Sequence, residues 1–154
     1  MWRRIWIASM VGLVLSSTVS STAADTVYVV PIQGTIEKGL AAFISRVMED
    51  AEAEGVSAVV FDIDTPGGAL DAALTIRDAV LYSEVKTIAF INPRAISAGA
   101  LISLATQHIV MVEGGTIGAA TAVNMQGEKA SEKIISYFRN EMKATAEKRG
   151  RPPK

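Results

Sequence analysis

The chain has no cysteine, so disulfides and thiol catalysis are excluded together. It has one histidine, His108. A metal site would therefore have to rest mainly on carboxylates, and a Ser-His-Asp triad has a single histidine to draw on. No excess of either charge is present: the net charge is -1, without the basic footprint of a nucleic-acid binder. No internal repeat or low-complexity linker interrupts the 154 residues, which suffice for one domain at most. What remains is 49% hydrophobic and 20% charged, enough apolar content for a packed core.

Apolar runs are short as well. Ile5 to Leu15 is the apolar stretch nearest the start. It follows Arg3 and Arg4 and leads into a small, polar segment ending in Thr22-Ala23-Ala24. This basic, apolar and small-residue layout is that of a secretory signal peptide over residues 1–24, and the run is too short to span a bilayer comfortably. Its removal takes away two arginines and no acid, moving the net charge from -1 to -3. The competing reading is an uncleaved anchor.

Beyond it, extended and helical patterns alternate. Thr26 to Ile32, Ala58 to Ile63, Thr87 to Ile91 and His108 to Val112 are short β-branched runs, read as strands. Pro31 suggests an edge position or a bulge. Gly39 to Glu54, Ala69 to Tyr82 and Ser131 to Arg149 have apolar residues at helical spacing, and Gly55 stops the first. Ser97 to Ala105 is small and apolar, a closely packed or buried helix. Gly114, Gly115 and Gly118 mark a turn-rich segment. The alternation predicts an α/β fold, a mostly parallel sheet covered by helices on both faces.

Two strand ends carry the chemistry. The strand at Ala58 to Ile63 runs into Asp64-Thr65-Pro66-Gly67-Gly68, read as a turn whose glycines free backbone N–H groups for a ligand. The strand at Thr87 to Ile91 breaks at Asn92-Pro93 and leads into Ser97-Ala98-Gly99. A serine at that strand-to-helix turn presents its hydroxyl at the same sheet edge, a nucleophile beside an oxyanion hole. The plainer reading makes Ser97 a helix N-cap. Asp64 reads as a turn-capping carboxylate. Gly114-Gly115-Thr116 lacks the Gly-Lys-Ser/Thr of a phosphate loop. His108, opening a β-branched strand, reads as structural. A base other than histidine points to a Ser-Lys dyad, whose lysine must be partly desolvated to accept a proton. The last helix region offers Lys129, Lys133, Lys143 and Lys148.

Four segments stand in order: Pro31-Ile32-Gln33-Gly34-Thr35-Ile36, Asp64-Thr65-Pro66-Gly67-Gly68, Ile96-Ser97-Ala98-Gly99-Ala100 and Gly114-Gly115-Thr116-Ile117-Gly118-Ala119-Ala120. With them the chain, from about Thr26 to Arg151, resembles the NfeD-type membrane-bound serine proteases of the Clp-protease-like (crotonase) superfamily. The resemblance implies a ClpP/crotonase-type ββα fold over residues 25–154. It implies Ser97 as nucleophile, Lys143 as base, and Gly67, Gly68 and the Ala98 N–H as oxyanion hole, with no metal or cofactor. It further implies hydrophobic, stomatin-like membrane-protein substrates, a dimer or higher assembly, and an exported or periplasmic site of action. In that family the domain continues into further helices, strands and membrane segments, so the chain reads as C-terminally incomplete. Two alternatives stay open: a crotonase-like acyl-CoA enzyme, and a non-catalytic fragment or interaction module.

Overall fold

The computed structural model describes residues 26–118 and 130–152. The signal-peptide reading of residues 1–24 lies outside these residues, as do Ala119, Ala120 and Lys129. The elements run β1 (Val27–Ile36), α1 (Lys38–Glu54), β2 (Ala58–Gly68), α2 (Leu70–Leu81), β3 (Thr87–Ile96), α3 (Ala98–Ala105), β4 (His108–Met111), β5 (Thr116–Gly118) and α4 (Glu132–Lys148).

Every strand pairing is parallel, in the order β1-β2-β3-β4, and β5 continues beside the far end of β3. The α/β class and the parallel sheet agree with the sequence. So does the edge position of Pro31, because β1 opens the order. The expected cover on both faces is found on one face only among the described residues. The order advances one strand at a time without reversal, and right-handed crossovers then place α1, α2 and α3 on one face. Burial follows that asymmetry. Val30 and Ile32, Val59, Phe61 and Ile63, and Ala89 and Ile91 are buried beneath the helices. Val29, on the opposite face, is 69% exposed, and Val60, Ile88 and Phe90 are half-buried.

The helices are shaped by the same core. α1 buries Ala41, Ile44, Met48 and Ala51, one stripe at helical spacing. It ends where Gly55, at φ 63°, turns its N–H back to the Ala51 and Glu52 carbonyls. α3 has eight residues, too few to stand alone. It is held by burial, with Leu101 and Ile102 fully inaccessible. Each such side chain contributes about 1.5–3 kcal/mol.

Two arginines fasten α4. Arg149 donates from Nε to the Ala105 carbonyl at 2.6 Å and from its terminal nitrogen to Val80 and Leu81. Arg151 donates to the Leu104, Thr106 and Gln107 carbonyls. The final carbonyls of a helix have no intrahelical donor, and these guanidiniums supply one at the ends of α2 and α3. Burial lowers the pKa of both from the usual arginine value, and for Arg149 the charge of Arg151 adds to it.

The sharpest departure from the sequence reading concerns strand length. The Pro-Gly-Gly segment is not a turn. It is the last part of β2, with Gly67 opposite Thr35 and Gly68 opposite Ile36. Asn92-Pro93 likewise lies within β3. Breaker residues are accommodated by slipping the register, between Gln33 and Thr35 and again between Ile63 and Thr65. Glycine is required at position 68, because a Cβ there would run into the Ile36 backbone.

Candidate active site

β3 ends at Ile96 and α3 begins at Ala98, leaving one residue for the reversal. That residue is Ser97, at φ 55° and ψ -111°, and no other described non-glycine residue has a positive φ. Such a conformation costs about 1–3 kcal/mol and persists only where its surroundings fix it. The surroundings do so from both sides. The Ser97 N–H donates to the Gly118 carbonyl at 2.7 Å, and the Ser97 carbonyl accepts from Ala100 and Leu101. The glycine-rich segment noted after β4 thus supplies, through β5, the support for this turn.

Ser97 occupies the N-cap position, yet its side chain makes no capping hydrogen bond. Among the described residues the hydroxyl is spent neither on the helix nor on a partner base. What stands beside it is Gly67: a Cβ there would meet the Ser97 Cβ at 2.9 Å and its Oγ at 3.4 Å. The two motifs, remote in sequence, meet at one point of the sheet edge.

The expected donors differ in their surroundings. Gly67 is buried and its N–H already donates to Thr65 Oγ1 at 3.0 Å. Gly68 is exposed. Ala98 is the first residue of α3, where an N–H has no acceptor within the helix.

Asp64 does not cap a turn. It accepts two hydrogen bonds from Arg94, at 2.8 Å from Nε and 3.3 Å from a terminal nitrogen. This contact ties β2 to β3 just before Ser97. The hydrogen bond to Asp64, and then its charge, raises the Arg94 pKa from the usual arginine value.

His108 pairs with Ile88 at the start of β3, whereas Ser97 follows that strand's end. His108 thus stands at the opposite end of β3 from the Ser97 turn, a strand of ten residues away. Lys148 lies 4.4 Å from the Tyr82 ring centroid. Lys143 is on α4, which packs against α3. Its side chain is 58% exposed, and Nζ faces Glu147 at 3.8 Å. No hydrogen bond joins it to Ser97, and the desolvation asked of a lysine base is absent in this arrangement.

Thr65 escaped the sequence reading. It is fully buried, donates from Oγ1 to the Gly34 carbonyl at 2.6 Å, and accepts from the Gly67 N–H. Its signal was a polar residue at an inward position, two after Ile63 and four after Phe61.

A one-directional parallel sheet under a helix layer, with a serine at the β3–α3 elbow, is the Clp-protease-like architecture. ClpP1 from Listeria monocytogenes shares the fold, with a TM-score of 0.63 at 22% identity over 80% of this chain and 73% of that one. Within that architecture the chain belongs to the NfeD1b N-terminal domain family, which it matches over residues 26–154. It is 39% identical over 150 residues to the membrane protein NfeD1b of Bacillus subtilis, covering 97% of this chain and 34% of the relative. It is 32% identical over 157 residues to the membrane-bound protease PH1510 of Pyrococcus horikoshii, covering 97% and 35%. The chain therefore spans about a third of the length of these curated relatives. Among solved structures it is similar to the 1510-N membrane-bound stomatin-specific protease in a serine-to-alanine mutant, with a TM-score of 0.76 and 31% identity over 85% of this chain and 67% of that one. A lysine-to-alanine mutant of 1510-N in complex with a substrate peptide gives a TM-score of 0.74 and 31% identity, over 81% and 61%.

Proposed function

We propose that the chain is the protease domain, residues 25–154, of a membrane-associated serine endopeptidase, with Ser97 as nucleophile and Lys143 as base. The observation that carries this is the strained Ser97 elbow, with its hydroxyl beside Gly67 and uncommitted among the described residues. The serine and lysine mutants of 1510-N, the latter with a substrate peptide bound, support a serine and a lysine as the working pair.

In the proposed reaction, Ser97 Oγ attacks the peptide carbonyl carbon while neutral Lys143 takes the hydroxyl proton. The carbonyl π electrons move to oxygen. The resulting oxyanion is met by backbone N–H groups of the Gly67-Gly68 segment and of Ala98. With the Gly67 N–H given to Thr65, Gly68 is the donor left on that side. Collapse breaks the C–N bond, and the leaving amine takes the proton from Lys143. Water then hydrolyses the Ser97 ester, its proton passing through the same amine. For this, the Lys143 side chain must leave Glu147 and swing toward Ser97.

The substrates we assign are hydrophobic segments of stomatin-like membrane proteins, as the 1510-N relative suggests. Residues 1–24 are assigned as the export signal that puts the domain on the extracytoplasmic face, and the assembly as a dimer. Among the described residues no helix is long and apolar enough to cross a membrane.

The test is labelling of purified protein by a serine-directed fluorophosphonate, beside hydrolysis of a hydrophobic peptide. Ser97→Ala should abolish both. Labelling that persists in Ser97→Ala, or retention on a CoA resin in its place, would refute the assignment. A wild-type chain that neither labels nor cleaves would favour an interaction module, a reading to which the outward-facing Lys143 lends itself.

A further inference from the structure

We propose that Thr65 is a positioning residue for the Ser97 centre: its hydroxyl sets how the Gly67-Gly68 backbone faces the nucleophile. The proposal rests on the reading of Ser97 as nucleophile.

Three segments of the site meet at this one side chain. On β1, the Gly34 carbonyl accepts the Thr65 hydroxyl proton at 2.6 Å, at the point where the β1–β2 register slips. On β2, the Gly67 N–H donates to the same oxygen at 3.0 Å. On α3, a Cβ on Gly99 would collide with Thr65 Cγ2, so the helix that Ser97 opens rests on the Thr65 methyl.

Packing alone would not require a hydroxyl. Thr65 is 0% exposed and continues the inward series of Phe61 and Ile63, where valine would supply the same volume. A hydroxyl buried there costs free energy unless it is bonded, and this one both donates and accepts. Its accepted bond holds Gly67 at φ 108° against Ser97. It also takes the Gly67 N–H out of competition for a substrate oxygen. Removing the hydroxyl frees the 66–67 peptide, whose N–H it holds, and so lets the Gly67 backbone shift against Ser97, and small displacements of a donor or nucleophile cost rate steeply.

The experiment compares Thr65→Ser with Thr65→Ala in the full chain, with Thr65→Val as a third variant. Serine and alanine lose the same methyl contact with Gly99 and differ in one hydroxyl, so the comparison stands even where valine fails to fold. Two rates are read well below the melting points: fluorophosphonate labelling of Ser97, and hydrogen exchange of the Gly67 amide by NMR. Thr65→Ala should label at least about tenfold more slowly than Thr65→Ser, which stays near wild type. Its Gly67 amide should exchange at least about tenfold faster, the loss of one buried hydrogen bond. Equal labelling of the two variants, or equal Gly67 exchange, overturns the proposal. If wild type is not labelled at all, the nucleophile reading fails, and the Gly67 exchange still decides whether Thr65 holds that amide.

Discussion

Gly67 and Ser97 approach so closely that a methyl group on Gly67 would lie 2.9 Å from the Ser97 Cβ and 3.1 Å from the Ile96 carbonyl oxygen. Gly67 also sits at φ 108°, which an L side chain rarely adopts. Gly67→Ala should therefore cost about 2 kcal/mol or more, from strain and crowding together. The protein that stays folded should label with fluorophosphonate at least about tenfold more slowly, because the Ser97 turn must move. Thermal denaturation and labelling rates check this. An unchanged melting temperature would mean that the β2 end is not packed against the elbow as described.

The strain at Ser97 makes its own prediction. Glycine adopts φ 55°, ψ -111° without a Cβ penalty, whereas alanine keeps it. Both Ser97→Gly and Ser97→Ala should be inactive, yet the glycine variant should be more stable than the alanine one by about 1 kcal/mol, since the strain exceeds glycine's extra entropy loss. Urea denaturation of the two proteins gives the difference directly. Alanine equal to or above glycine would remove the argument that this turn is strained.

Much of this was legible in the sequence, and the exceptions share a physical cause. The strand–helix alternation, the positions of Gly55 and Ser97 and the edge role of Pro31 follow from periodicity and backbone chemistry local to each residue. Asp64-Thr65-Pro66-Gly67-Gly68 misled because proline and glycine signal a turn by themselves, while strand status is decided by a neighbour. Here Thr35 and Ile36 on β1 pair with the two glycines. Asp64 looks like a cap in the sequence for the same reason, its partner Arg94 lying on another strand. Thr65 carries no local signal beyond its inward polar position, because its bonds to Gly34 and Gly67 exist only once β1 and β2 are in register. The single-sided helix layer depends on strand order, which no local pattern encodes.

On the β1 edge, the Tyr28 hydroxyl donates to Glu54 Oε2 at 2.6 Å, joining β1 to the end of α1. That hydrogen bond, with smaller contributions from desolvation and the charges of Glu54 and Asp50, raises the Tyr28 pKa above the ordinary tyrosine value. A raised folded-state pKa means stabilisation that is complete below the unfolded value of about 10 and is lost as pH rises through the folded value. A spectrophotometric titration near 295 nm should show two tyrosines, Tyr28 and Tyr137, ionising late, and Glu54→Gln should bring one of the two steps down. A titration in which Glu54→Gln moves neither step would assign the Tyr28 contact elsewhere.

Arg149 anchors the end of α4. It donates to three carbonyls, on Ala105, Val80 and Leu81, at the ends of two helices. Hydrogen bonds from a charged donor contribute about 1.5–3 kcal/mol. Arg149→Ala should lower stability by about 2–3 kcal/mol. Arg149→Lys should recover only part of it, because a single ammonium cannot reproduce the planar fork. Equal denaturation midpoints for wild type and Arg149→Ala would show α4 to be held by its apolar face alone.

Lys143 allows the proposed chemistry to be separated from stability. Its ion pair with Glu147 is an exposed i,i+4 contact at 3.8 Å, of a kind that contributes about 0.3–0.5 kcal/mol. Lys143→Ala should leave the melting temperature within about 2 °C of wild type, given that small energetic change. If Lys143 is the base, the same variant should lose peptide hydrolysis by about a hundredfold or more. Lys143→Arg sharpens the test. It retains the charge and the Glu147 pair, but a guanidinium stays protonated and cannot take the Ser97 proton. It should be as inactive as alanine. Glu147→Gln removes the partner that now holds Nζ away from Ser97, and hydrolysis should be retained or rise. Activity retained in Lys143→Arg would show that the lysine acts as a charge rather than a base, and the dyad would have to be abandoned.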